Sequence, residues 1–297
     1  MKVLVTGATG LIGVHAVKSL IDAGINVVTC GRSPTGIISV SHRSGDLLDV
    51  DFQKTLVNTE KPDGLLHLAW QTKHGHFWNA PDNHDWYEAS SNLIKLFLQS
   101  GGSRVVVSGS CAEYDWQNIP AGTKLSEDAA CHPATLYGQQ KLRLFKHCDD
   151  LIKSGASIAW GRLFLLLGPR ESPARFIPSI ATKLLAGETA NMSSGKQVRD
   201  FIHVKDAGRA FATLIQGDMM GAINIASGNG HSLLEIARRL HEKIGRGALN
   251  PGGFPDRADD PPYLVANTNR LSQMIGFTAD YDIDTALSDC INWWAAQ

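Results

Sequence analysis

No stretch of this chain holds the roughly 20 uninterrupted apolar residues that a helical bilayer span requires, so no membrane partner is expected. A basic field is missing as well. Lysine and arginine total 28 against 29 acids, a net charge of −1, which leaves nothing to draw nucleic acid or an anionic lipid surface. Cysteine is scarce and scattered, at 30, 111, 131, 148 and 290, odd in number and without a C-x-x-C pair. Such spacing argues against a disulfide framework and a structural zinc site, and for a reducing, cytoplasmic location with no metal. Internal repeats and low-complexity tracts are lacking. The opening "MKVLVTGATG" is broken by threonine and glycine too early for a secretory apolar region, and is expected to be a mature first strand.

What the chain does have is punctuation. "KVLVT" is a branched apolar run suited to a strand buried on both faces, and "GATGLIG" follows with glycines at 7, 10 and 13. Val14, Val17, Leu20 and Ile21 then recur at helical spacing up to Gly24, and "INVVTC" returns to strand character. Strand, glycine turn, helix and strand begin a parallel α/β sheet. The turn lets the backbone approach a pyrophosphate while the helix N-terminus aims its free N–H groups at it. Gly7, Thr9, Gly10, Leu11, Ile12 and Gly13 are therefore the first candidate cofactor contacts.

The end of the second strand bears on which dinucleotide binds. An acid there accepts hydrogen bonds from the adenosine ribose of NAD, but "TCGRSP" has Gly31 at that place, then Arg32 and Ser33. A guanidinium and a hydroxyl suit a 2′-phosphate, so NADP(H) is expected in preference to NAD(H). Asp46 and Leu47, after a further short strand-like segment, are placed to meet the adenine. Leu68 and Ala69, near the end of the run "GLLHLAW" (64–70), are further candidate cofactor contacts.

"SRVVVSGS" (103–110) and "SIAWGRLFLLLG" (157–168) are two more expected strands, with a helix around residues 87–99 before the first. "PRESPARFIPSI" and "NPGGFPDRADDPP" are loop-like and arginine-bearing, whereas "SLLEIARRLHEKIG" carries one apolar helical face. "KHGHFWNAPDNHDWY" (73–87) has three histidines without compact ligand spacing, and reads as a loop over a polar ligand with Trp78 and Trp86 as stacking surfaces. In "ATLYGQQKLRLF", Tyr137 and Lys141 share one helical face. A phenol with pKa near 10 is a poor acid or base at neutral pH, and a nearby ammonium favours its phenolate, which opens proton exchange with a substrate alcohol or carbonyl.

With "TGATGLIG", "HLAW", "VVVSGSCAEY", "YGQQK", "GRLFLLLGP", "RDFIHVKDAGRAF", "INIASGNGHSLLEIA" and "DDPPYLVANTNRL" in order, the chain resembles the extended short-chain dehydrogenase/reductase family, in particular the nucleotide-sugar epimerases, dehydratases and reductases. The resemblance implies a Rossmann-type doubly wound parallel sheet with a smaller C-terminal α/β substrate-binding domain. Residues 1–166, with a returning segment about 200–228, would bind the dinucleotide, and 167–199 with 229–297 the substrate. It implies Ser110 as the hydroxyl on the sugar carbonyl that Tyr137 protonates, Lys141 also holding the nicotinamide ribose, and Arg199 and Arg257 clamping the nucleotide diphosphate. A homodimer through the helices around 87–99 and 137–150 is implied too.

Departures from the family pattern narrow the chemistry. The Asp-Glu pair of the 4,6-dehydratases is replaced by Cys111 and Ala112, and the epimerising cysteine of bifunctional epimerase-reductases would fall on Ala112. An asparagine often found after R-x-F is Leu165, and Glu113 is expected to be a plain strand-end charge. Reduction of a nucleotide-linked 4-keto(-6-deoxy) sugar by NADPH is the leading expectation. A 4-epimerase with tightly bound NAD is the alternative enzyme, and a non-catalytic NADP sensor the reading from another class.

Overall fold

Branched apolar runs alternating with amphipathic helices bury both faces of every strand only in a parallel sheet covered on both sides. The computed structural model, which describes residues 1–120, 122–258 and 260–297, has that sheet. Its first six strands are β1 (Lys2–Thr6), β2 (Asn26–Gly31), β3 (Ser41–Ser44), β4 (Gly64–His67), β5 (Arg104–Ser110) and β6 (Ile158–Leu163). Three short strands follow, β7 (Leu165–Leu167), β8 (Thr189–Met192) and β9 (Val198–His203), before β10 (Gly221–Ile225) returns to pair with β6. The order is β10-β6-β5-β4-β1-β2-β3, every pair parallel. It reverses between β1 and β4, and such a switch opens a crevice at the carboxyl ends of the strands.

Helices α1 (Gly13–Asp22), α2 (Val50–Glu60), α3 (Asn83–Gln99), α4 (Leu136–Lys153), α5 (Phe176–Leu185) and α6 (Val204–Gln216) intervene. Side-chain alternation along the strands decides which helix each face meets. Val3 and Val5 of β1 pack with Val17 and Leu20 of α1 and Phe211 and Leu214 of α6. Leu4, between them, faces the opposite layer with Leu56 of α2, Ile94 and Phe97 of α3 and Leu144 of α4.

A second sheet is built on β9, which pairs with β7, β11 (Gly230–Ser232) and β13 (Tyr263–Leu264), while β8 pairs with β12 (Ala248–Pro251). Its core joins Leu167 and Phe201 to α5, α7 (Leu233–Ile244) and α9 (Ile283–Ala295) through Ile180, Leu184, Ile236, Leu240 and Leu287, and α8 (Asn269–Ile275) packs near β10.

"SIAWGRLFLLLG" is not one strand. The chain leaves the large sheet at Phe164, whose N–H donates to the Ile225 carbonyl (3.0 Å), and Leu165 begins pairing with β9. An unbroken apolar run carries no mark of where the pairing partner changes. Among the described residues no helix is long and apolar enough to cross a membrane.

Candidate active site

β1 delivers Gly7 to the crevice, and the Gly10 N–H closes the turn on the Gly7 carbonyl at 2.9 Å. At the start of α1, Ile12 offers no side-chain cap and the first turn holds no acid. The open N–H groups and the helix dipole there suit a pyrophosphate, the fit a dinucleotide needs. A Cβ on Gly13 would lie 2.1 Å from the Gly7 oxygen, so the helix starts this close to the turn only with glycine. Gly13→Ala is expected to weaken dinucleotide binding by about 1–3 kcal/mol, the usual cost of overpacking, seen as loss of the 260 nm absorbance of co-purifying nucleotide. Full retention of nucleotide would refute this account of the turn.

The opposite lip of the crevice is held by a chain of hydroxyls. The N–H groups of Leu68 and Ala69 both donate to Thr6 Oγ1 at 3.2 Å. The Thr6 hydroxyl therefore donates to His67 Nδ1 (2.8 Å), His67 Nε2–H to Ser90 Oγ (2.8 Å), and Ser90 to the Trp86 carbonyl (2.6 Å). Burial keeps His67 neutral, its pKa pushed down to about 3.

Between the lips lies a cavity of about 590 Å³. Gly7, Thr9, Gly10, Leu11, Ile12, Arg32, Asp46, Leu47, Leu68, Ala69, Ser110, Tyr137, Lys141 and Arg199 line it; Gly13, Ser33 and Arg257 do not. Of the pair expected to hold a 2′-phosphate, only Arg32 reaches the wall.

Ser110 ends β5, and its Oγ accepts the Ala112 N–H (3.1 Å) to cap the short turn Cys111–Glu113. Glu113 is no strand-end charge. It is wholly buried, accepts the Ser110 N–H at 2.7 Å, and also takes Trp160 Nε1–H (3.0 Å) and Arg162 Nε–H (2.8 Å). Arg162 donates on to the Glu127 carbonyl (2.8 Å), and Tyr114 donates to Asn224 Oδ1 (2.6 Å). The strand pattern hid this because Trp160 and Arg162 arrive from β6, far along the chain. Cys111 lines the cavity, but burial pushes its thiol to about 12, which leaves no thiolate near neutrality.

Tyr137 and Lys141 come from the first two turns of α4, capped by Thr135 Oγ1 accepting the Gly138 N–H (3.2 Å). Gly138 permits the approach, since a Cβ there would sit 2.3 Å from the Ala112 oxygen. Tyr137 stands in an aromatic shell: Phe77 and Trp78 meet it edge-on at 4.9 and 5.9 Å between ring centroids, and Trp70 at 6.2 Å. Asn83 pins the shell, accepting Trp70 Nε1–H (2.8 Å) and donating to the Phe77 carbonyl (2.7 Å). Burial raises the phenol's pKa, and the Ser110 hydroxyl works against it. Lys141 donates to the Ser108 carbonyl (2.8 Å) with its ammonium 3.9 Å above the Trp70 ring. Burial lowers its pKa to about 7, and Glu113 pulls it back up.

Towards the second sheet, Arg199 is already paired with Asp260 (2.6 Å). Arg257 is exposed and outside the wall, though it and Arg175 both face His74, whose pKa is lowered first by burial and then by these cations. Trp70, Phe77, Trp116 and Arg175 line the cavity without having been singled out as site residues, because loop residues carry no periodicity to reveal which way they face.

The model of the NAD dependent epimerase/dehydratase family matches residues 3–226. The chain is 28% identical to the UDP-glucose 4-epimerase of Lacticaseibacillus casei, over 99% of this chain and 96% of that one, and 26% identical to that of Azospirillum brasilense, over 98% and 91%. Among solved structures, MoeE5 in complex with UDP-glucuronic acid and NAD is 30% identical with a TM-score of 0.82, covering 99% of this chain and 98% of that one. These relatives overturn the reduction of a 4-keto sugar by NADPH as the leading reading. Its support was the cofactor preference, and that rested on Arg32 and Ser33 together with the missing acid at Gly31. Ser33 stands outside the cavity, and Arg32 lines it as an exposed guanidinium.

Proposed function

The chain belongs to the NAD-dependent epimerase/dehydratase family, and on that premise we propose that it interconverts the C4 epimers of a UDP-linked sugar with an NAD that it retains. The observation that carries this is the meeting of Ser110, Tyr137 and Lys141 with the glycine turn around one cavity, without the carboxylate pair that a dehydratase needs at 111 and 112. Gly7, Gly10 and the start of α1 would hold the pyrophosphate, and Asp46 and Leu47 the adenine. NAD bound there supplies the oxidant for C4 and, after it, the reductant.

The chain's own residues move the proton. Tyr137, as phenolate, takes the C4 hydroxyl proton and later returns it to the same oxygen, to which the Ser110 hydroxyl donates. Burial opposes the phenolate, and the Lys141 ammonium, 5.9 Å from the ring centroid, would favour it. Inverting C4 requires the 4-ketone to offer its other face, and Trp78 and Trp116, whose rings meet edge-on at 6.0 Å in the cavity lining, would give a pyranose an apolar surface on which to turn.

Two readouts test the proposal. Nucleotide released from the purified protein is expected to be NAD, and its retention unchanged by Arg32→Ala. UDP-glucose incubated with no added cofactor is expected to yield UDP-galactose, followed by the anomeric NMR signals. No retained NAD and no epimer with any UDP-hexose would sink it.

A further inference from the structure

The loop leaving β7, "GPRESPAR" (168–175), ends at Arg175, the N-cap residue of α5. Arg175 lines the cavity, and nothing so far gives it work. Its acidic neighbour among the described residues is Glu171, with Nε to Oε1 at 3.8 Å, too long for a hydrogen bond. Glu171 is itself buried, and its Oε2 has no partner among the described residues. A carboxylate without donors in a dry site is more stable protonated. Burial raises its pKa to about 8, with Arg175 pulling the other way. From α9, Cys290 faces it with a thiol that burial holds at about 12, and Asp289 beyond is engaged by Lys205 (2.9 Å), with the His203 ring, kept neutral by burial, beside it. Near neutrality, then, Arg175 has an uncharged acid behind it and open cavity in front. Arg199 differs, being matched by Asp260.

We infer that Arg175 binds an anionic oxygen group of the nucleotide-sugar, with Glu171 held behind it as an internal competitor for the same guanidinium. The inference rests on the nucleotide-sugar reading above. A guanidinium fork fits a diphosphate and a carboxylate alike, so the group is either the UDP diphosphate or an acid on the sugar. Leu165, which also lines the cavity, adds reason, since an apolar side chain gives a diphosphate no donor. As pH rises through the range where Glu171 ionises, it draws Arg175 back and the ligand loses its partner.

Calorimetric titration of the NAD-loaded protein with UDP, UDP-glucose and UDP-glucuronic acid decides the matter, in wild type, Arg175→Ala and Arg175→Lys. A diphosphate grip predicts that Arg175→Ala weakens all three by roughly ten- to a hundredfold, as for loss of a charged hydrogen bond, with partial recovery in Arg175→Lys. A grip on a sugar acid predicts the same loss for UDP-glucuronic acid alone. Equal affinities in wild type and Arg175→Ala overturn the inference and leave the epimerase reading standing. A wild-type protein that binds none of the three overturns that reading, and the inference falls with it. Wild-type affinity is expected to drop severalfold between pH 7 and 9, and to stay flat in Glu171→Gln. Identical profiles in the two proteins would remove Glu171 from the account.

Discussion

Tyr137→Phe is expected to lower turnover by about two to four orders of magnitude, the usual contribution of a positioned acid–base group, while the dinucleotide stays bound. Only one oxygen is removed. The phenylalanine ring still fills the shell of Trp70, Phe77 and Trp78, so packing and the Ser110 turn are preserved. Ser110 cannot substitute, because an aliphatic hydroxyl is far too weak an acid to cycle a proton at neutral pH. Cys111 cannot either, with its thiol held near 12. The check is a rate of UDP-sugar interconversion beside the nucleotide content of the same preparation. A variant with turnover within a few-fold of wild type would mean that the proton travels by another group.

Arg162→Leu is expected to cost about 3–5 kcal/mol of stability, the penalty for stranding one member of a buried ion pair. Both side chains are almost inaccessible, at 2% and 0% relative exposure. Without the guanidinium, Glu113 keeps only Trp160 and the Ser110 N–H, and it either protonates or draws in water. In both cases the Glu113 carboxyl that accepts the Ser110 N–H is less firmly placed, so activity should fall further than global unfolding accounts for. Arg162→Leu combined with Glu113→Gln should recover much of the stability, because no buried charge is then unpaired. Urea denaturation of the single and double variants measures this. Equal destabilisation by both would show that packing around β6, rather than charge, sets the cost.

Much of this was legible in the residues. The glycine turn after "KVLVT" marked the crevice, and the four-residue step from Tyr137 to Lys141 marked the shared helical face. These signals are local, and local spacing survives folding unchanged. What failed depended on distant partners. Glu113 read as a surface charge because its arginine arrives forty-nine positions later, from a strand that also looked longer than it is. Arg32 and Ser33 are neighbours in the chain, yet only Arg32 lines the cavity, because adjacency in sequence does not fix convergence in space. Trp70 and Arg175 went unmarked for the same reason: a loop residue's direction is set by what the loop packs against.

The way the large sheet is closed bears on how the chain is made. Six of its seven strands lie within the first 163 residues, but the strand that covers β6 is 221–225. The late segment also supplies the Leu214 and Met219 carbonyls that take up Arg104 (2.8 Å each) and the Asn224 side chain that receives Tyr114. A chain leaving the ribosome at roughly 5–20 residues per second therefore carries an open parallel edge at β6 for several seconds. Unpaired apolar edges of this kind template wrong pairing. The strand that completes the large sheet is thus released only after β7, β8 and β9 have been synthesised, which ties the maturation of the two sheets together.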